Sequence, residues 1–398
     1  PKMVTMPVRF RQSGYLVYGS GKIFHHTAGN NPPRQWNAFK RLLFRDDPWF
    51  RGSKLNYPWT QNTHKPEGFP FSEVKGLPHE NDWGVIPITD NDLDDVRTAD
   101  FAVRFLKAKQ DNPFFLACGL FRPHLPWYAP RRFFDLYPLD KVVVPKKFEE
   151  DLDDVPEIGK SFAAARRSDL NKIEKQGSII RAVQAYLASI SYADEQLGRI
   201  LDVLESSEYN SNTVIIFWSD HGWHLGEKRH WHKSTLWEES TRIPLIIAVP
   251  QLKPDVCNQP VSLLDLYPTL MELCAIKGGH EFDGLSLMPQ LRLAETKRNP
   301  AVIEFRKGNA AVRSERWRYI RYSDGSEELY DHKTDSYEWK NLASKKKYKT
   351  VKQNLSEWLP KQWAESALSK NAFKFDPDSY SWVNKKTGKR YFGSNSDN

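Results

Sequence analysis

The sequence predicts an α/β fold in which a large mixed, mostly parallel sheet is flanked by helices and followed by a small C-terminal antiparallel sheet with a packed helix. Apolar, strand-like runs at 15–24, 114–120, 212–219 and 243–249 alternate with helical patterns at 98–109, 178–206 and 263–274. That alternation is the rhythm of an open α/β sheet. After about residue 295 the pattern changes to short stretches, 301–305, 310–313, 317–322 and 328–330, separated by turn signals such as Ser323-Asp324-Gly325. Short strands punctuated by turns pair as antiparallel neighbours. Two regions follow, 1–295 and 296–398, and no internal repeat is visible.

Taken in order, the chain opens at Val8-Arg9-Phe10-Arg11-Gln12 in what reads as the middle of a helix. Residues 15–24 read as a strand entering the Gly19-Ser20-Gly21 turn, followed by Lys22, His25 and His26. The stretch 30–95 is rich in Pro, Trp, Gly and Asn without periodicity, the mark of a functional loop when its aromatics fold down. Residues 98–109 place Ala99, Val103, Phe105 and Leu106 on one side of a helix. Phe114 to Leu120 is continuously apolar, as a buried parallel strand should be. A second irregular, charged stretch at 138–177 reads as a surface insertion. In 178–206, Val183, Leu187, Ile190, Leu197, Leu201 and Leu204 recur at helical spacing as one buried stripe. The C-terminal sheet is closed by a basic helix at 346–366 containing Leu355, Trp358 and Leu359.

Composition limits the function. With 39% hydrophobic and 13% aromatic residues, the chain has material for a packed core, which excludes global disorder. No apolar run reaches the roughly 18 residues of a membrane span. Three scattered cysteines, Cys118, Cys257 and Cys274, make no disulfide framework. The net charge of +8 suggests an anionic partner. Nucleic acid fits poorly, because the basic residues are dispersed and no known binding module is present. Fourteen Trp beside 26 Pro suit sugar stacking and loop packing equally.

Ligands in open α/β sheets bind beyond the carboxyl ends of the strands. Here those ends present Lys22 and His25, then His124 set between Pro123 and Pro126, then Asp220-His221, with Lys233 following. Neighbouring Asp and His can share a divalent cation. The four histidines 221, 224, 230 and 232 match neither a His-Glu-x-x-His motif nor a zinc finger. Two lysines and two histidines around a cation suit a tetrahedral anion: the non-bridging oxygens of a sulfate or phosphate ester need positive charge, and the leaving alkoxide needs a proton.

The segment Ser219-Asp220-His221-Gly222-Trp223-His224-Leu225-Gly226-Glu227-Lys228, with His230-Trp231 and Lys233, resembles the type I sulfatases of the alkaline-phosphatase superfamily, iduronate-2-sulfatase-like members above all. Gly21-Lys22-Ile23-Phe24-His25, the run from Pro113 through Arg122-Pro123-His124-Leu125-Pro126, Leu264 to Leu270, Asp283 to Leu287 and Glu328 to Leu342 resemble the same family in the same order. The resemblance implies an alkaline-phosphatase-like sandwich and hydrolysis of a sulfuric ester on a sulfated sugar or polysaccharide. It implies Asp220 and His221 as two ligands of one Ca2+, Lys22 and Lys233 on the sulfate oxygens, and His124 as general acid on the leaving sugar oxygen. His25 is implied as the base that collapses the sulfated intermediate. Trp127, Trp223, His224 and His230 are expected to face substrate. A secreted, periplasmic or lysosomal compartment is implied as well.

One departure stands against this. The family's formylglycine nucleophile is made from the Cys of a Cys-x-Pro-x-Arg motif, and none of the three cysteines fits. Asp46-Asp47, Asp94-Asp95 and Asp153-Asp154 follow no apolar strand and do not replace the family's metal-binding Asp pair. The expectation is a chain without the family's N-terminal region, holding part of the metal site, no formylglycine and no activity by itself. A phosphodiesterase or phosphonate hydrolase on the same scaffold, and a non-catalytic anion- or glycan-binding protein, are the alternatives.

Overall fold

A computed structural model of the chain describes residues 4–25, 31–40, 70–86, 93–278, 281–366, 372–376 and 378–392. Its first helix, Met6–Gln12, begins inside the chain, with Thr5 extended before it and Pro7 in its first turn. The reading of residue 8 as mid-helix is therefore corrected: Pro is favoured in the first turn, where its missing N–H costs nothing.

The central strand Leu16–Gly21 runs parallel to both neighbours, Ala38–Lys40 and Phe114–Gly119, and Gly21 lies opposite Gly119. The helices Asp94–Lys107 and Ile179–Glu205 pack together, and Asp94–Lys107 also packs on this sheet. Asp94–Lys107 starts four residues earlier than its apolar periodicity suggests. Two acids in a first turn favour the positive end of the helix dipole, and they precede the apolar residues that the periodicity counts.

Phe114–Gly119 was expected to be buried, yet it is half-exposed throughout. Among the described residues it is an edge strand, paired on one side only. The apolar runs Ile215–Trp218 and Leu245–Ala248 form a separate antiparallel pair, with Trp218 47% and Ile246 59% exposed. The strands and helices together remain the expected mixed α/β arrangement. The loop region 30–95 lies largely outside the described residues, including Asp46 and Asp47. Within it, Trp83–Val85 pairs parallel with Trp127–Ala129.

The buried face of Ile179–Glu205 is not the Leu/Ile stripe. Val183 and Leu204 of that stripe are buried, but the rest of the face is Ala182, Ala185, Ala188, Ser189, Tyr192 and Gln196, and Ile190 is exposed. Small side chains let neighbouring elements close in, and the Tyr192 ring meets Phe133 at 5.4 Å.

The stretch 138–177 is also corrected. It carries the helices Glu157–Ala164 and Arg167–Lys175 and buries Val155, Phe162, Leu170 and Ile173. Its charged residues had masked a narrow apolar face.

The C-terminal sheet is a four-stranded antiparallel meander of Ala301–Glu304, Ala310–Arg313, Trp317–Arg321 and Glu327–Asp331. Period-two alternation splits its side chains between two cores. Ala311, Ile320 and Tyr330 pack with Val155, Phe162 and Trp237, while Ala310, Val312, Tyr319 and Leu329 pack with Leu342, Leu355 and Leu359. The closing helix is shorter than expected, Lys349–Ser356. Pro360 disfavours helical backbone just before it. A further three-stranded antiparallel sheet, Phe373–Asp376, Ser381–Asn384 and Arg390–Phe392, went unread in the sequence.

Candidate active site

Three chain turns build the site, and glycine makes two of them possible. Gly21 has φ +80°, and a Cβ there would lie 2.1 Å from the Gly119 carbonyl oxygen. The backbones meet closely enough for Lys22 N–H to donate to Gly119 O at 2.8 Å, which turns Lys22 off the strand end. Gly21→Ala is expected to cost about 3 kcal/mol, through left-handed strain and a backbone clash with no flexible neighbour to yield. A urea midpoint equal to wild type would refute this. After Ile215–Trp218, Gly222 N–H donates to Ser240 O at 2.9 Å. A Cβ on Gly222 would sit 2.0 Å from Glu239 O, so only glycine lets the Asp220-His221 turn dock there. The third turn, Arg122 to Trp127, carries His124. It is tied down by Trp127 Nε1 donating to Pro123 O at 2.8 Å and by a buried Arg122–Asp95 ion pair of 3.0 Å.

These turns bring residues from three distant parts of the chain together. Lys22 Nζ lies 2.9 Å from Asp220 Oδ2, and Lys233 Nζ lies 2.7 Å from His221 Nε2. The His124 ring is 6.3 Å from His221 and 6.2 Å from Trp223. His221 Nδ1 sits 2.8 Å from Gly222 O, so it carries the proton and Nε2 is the lone-pair atom that accepts from Lys233. In His124, Nδ1 is 2.7 Å from Leu125 O, which directs Nε2 to the exchangeable-proton role.

Other predicted residues lie elsewhere. His224 and His230 were expected to face substrate but are 0% and 1% exposed. His224 Nε2 bonds Thr235 Oγ1 at 2.9 Å, and His230 spans Ala163 O at 2.9 Å and Lys233 O at 3.0 Å. Both are struts under the site. Trp127, also expected at the substrate, is 0% exposed and packs edge-on to Trp223 and Trp231 at 5.7 Å each. Trp223 bridges that layer to the histidines, and its Nε1 has no hydrogen-bond partner among the described residues. His25 is exposed, three residues beyond Lys22. Sequence reasoning missed Asp95, Arg122, Asp169 and Arg166. Asp169 accepts from His232 Nε2 at 3.2 Å and from Asn81 Nδ2 at 2.8 Å. Arg122 stood in the Arg122-Pro123-His124 run and Asp95 in the Asp94-Asp95 pair without a role assigned, and Asp169 and Arg166 lay in a stretch read as a surface insertion.

The electrostatics follow the contacts. Burial opposes the charge on Asp220, but Lys22 and His221 outweigh it and hold the carboxyl below its usual range. Burial pushes His221 down, against the pull of Asp220. Burial, with Lys22 beside it, lowers Lys233 to about 8. His224 is held far below the ordinary imidazole range by complete burial, with His230 adding to the effect.

Asp220 ionised and His221 with its Nε2 lone pair directed at Lys233 are both in metal-ligating form. The pair suits part of a divalent cation's shell, the carboxylate being the hard donor such ions prefer. Lys22 and Lys233 stand at those two atoms. Glu238, His332 and Glu338 also place ligand atoms within 4.8 Å of one another. That group is compensated by Arg313, 3.1 Å from Glu238, and by Arg318, which bonds Glu238 and Glu338.

Residues 2–276 match the family model described as Sulfatase, and residues 226–365 match N-sulphoglucosamine sulphohydrolase, C-terminal. A sulfatase of Formosa agariphila is 34% identical over 370 residues, covering 90% of this chain and 69% of that protein. Human iduronate 2-sulfatase is 30% identical over 262 residues, 62% of this chain and 45% of the human protein. The chain thus spans less than half the length of the human relative. The structure of a phosphonate monoester hydrolase from Silicibacter pomeroyi matches with a TM-score of 0.71 at 20% identity, covering 89% of this chain and 78% of that one. At that identity the likeness speaks for the fold.

Proposed function

The chain belongs to the sulfatase family, and on that premise we propose that it serves the removal of sulfate from a sulfated saccharide. The observation that carries the reading is the convergence of Lys22, Asp220, His221 and Lys233 at strand ends beside His124. The name of the human relative, iduronate 2-sulfatase, supports a sugar sulfate.

In this reading Lys22 and Lys233 bind and neutralise the sulfate oxygens by fixed positive charge. His124, directed through Nε2, delivers a proton to the leaving sugar oxygen, and His25, three residues beyond Lys22, is the base by resemblance. Asp220 and His221 would hold a divalent cation, Ca2+ by resemblance, which would add positive charge beside the sulfate. The 398 residues supply no Cys-x-Pro-x-Arg, and burial pushes the Cys118 thiol up to about 12, away from the nucleophilic thiolate. We expect no sulfate release by these residues alone. No described helix is long and apolar enough to cross a membrane, and an exported compartment is the one the resemblance implies.

Calorimetric titration tests the reading. Iduronate 2-sulfate is expected to bind at least about tenfold more tightly than iduronate. Lys22→Ala and Lys233→Ala should each weaken it about 10–100-fold, the worth of one charge-assisted hydrogen bond. Equal binding of the desulfated sugar, or tighter binding of a phosphonate monoester, would overturn it.

A further inference from the structure

We propose that Arg166 binds a second anionic group of the saccharide, a carboxylate or an additional sulfate, beside the sulfate held by Lys22 and Lys233. The inference rests on the sulfated-saccharide reading and extends it to substrate selection. Arg166 occupies the two-residue turn between the helices Glu157–Ala164 and Arg167–Lys175. Hydrogen bonds on both sides fix this turn against the Lys233 segment. Ala163 O, three residues before Arg166, lies 2.9 Å from His230 Nδ1, and His230 Nε2 lies 3.0 Å from Lys233 O, so the ring spans the two segments. Asp169, three residues after it, holds His232 at 3.2 Å. The turn is therefore clamped over the residues flanking Lys233. The Arg166 charge is felt there: after burial, it adds to the lowering of His230 and His232.

The Arg166 side chain is exposed and has no hydrogen-bond or ion-pair partner among the described residues. Lys22, by contrast, is paired with Asp220. The planar Arg166 fork is suited to two oxygens of one carboxylate or sulfate. A second anion on the ligand would satisfy its unmet donors.

The test compares ligand pairs that differ by one anion, titrated against wild type, Arg166→Ala and Arg166→Lys. Iduronate 2-sulfate is paired with idose 2-sulfate, and glucosamine 2-N,6-O-disulfate with N-acetylglucosamine 6-sulfate. Arg166→Ala should weaken the dianionic member of one pair about tenfold or more while changing the monoanionic member less than about twofold. The pair that responds identifies carboxylate or sulfate as the second group. Arg166→Lys should restore only part of the loss, because a point charge cannot make the two-oxygen contact. Equal weakening of all four ligands, or no loss for either dianion, overturns the proposal. Failure of the sulfatase reading looks different: wild type itself would then not distinguish the sulfated sugars from their desulfated forms.

Discussion

Replacing Asp95 with alanine should destabilise the fold by about 3–5 kcal/mol, the range for removing one partner of a buried ion pair. Asp95 is fully buried and accepts from Phe121 N at 2.5 Å, from Arg122 N at 3.3 Å and from Arg122 Nη1 at 3.0 Å. Arg122 is itself buried, donates Nε to Tyr128 O at 2.9 Å and lies over the Tyr192 ring. Without Asp95, a guanidinium remains in the interior with its carboxylate gone, and the turn bearing His124 loses two backbone anchors. Urea unfolding gives the size of the loss, and a change under about 1 kcal/mol would sink the assignment. The double variant Asp95→Leu with Arg122→Met should recover much of it, because replacing both partners with apolar groups leaves no uncompensated charge. An additive double variant would mean the two residues do not act as a pair.

Glu238→Gln should show a comparable loss and a changed response to acid. Glu238 is buried at the junction of the site segment and the C-terminal sheet. It faces Arg313 at 3.1 and 3.2 Å and bonds Arg318, and its N–H donates to Glu338 Oε2 at 2.9 Å. Burial alone would raise its pKa, but Arg318 and Arg313 outweigh burial and bring it down to about 2 from 4.5. A depressed carboxyl stabilises the fold above its unfolded pKa and loses that contribution as pH falls through the folded value. Wild type should therefore lose stability relative to Glu238→Gln between about pH 4.5 and 2, with the two nearly constant in their difference above that window. Parallel stability curves from pH 5 down to 2.5 would show that the carboxylate does not carry the junction.

The errors of sequence reading have physical causes. Four histidines within twelve residues look like one functional cluster. In the fold, His224 pairs across a hairpin with His232, and His224 and His230 turn inward onto Thr235 and Ala163. Spacing does not reveal which side of a two-residue strand faces a pocket. Trp127 was expected to face substrate because exposed and buried tryptophans look alike in a sequence. The stretch 138–177 hid two helices because a short helix needs few apolar residues when its partners supply the rest of the core.

What the sequence determined by itself was the alternation of apolar strands and amphipathic helices, the switch to short antiparallel strands near residue 295, and the chemically able residues at strand ends. Local periodicity and turn chemistry encode these features, because they depend on neighbours within a few positions. The tertiary structure alone decided which of those residues meet. Lys22 and Asp220 are 198 positions apart and 2.9 Å from each other. Their contact depends on two glycine-enabled turns and on buried charges such as Asp95 and Glu238, whose partners lie far along the chain. Burial and long-range pairing select among residues that look equivalent in one dimension, since both depend on what packs against a side chain and not on what precedes it.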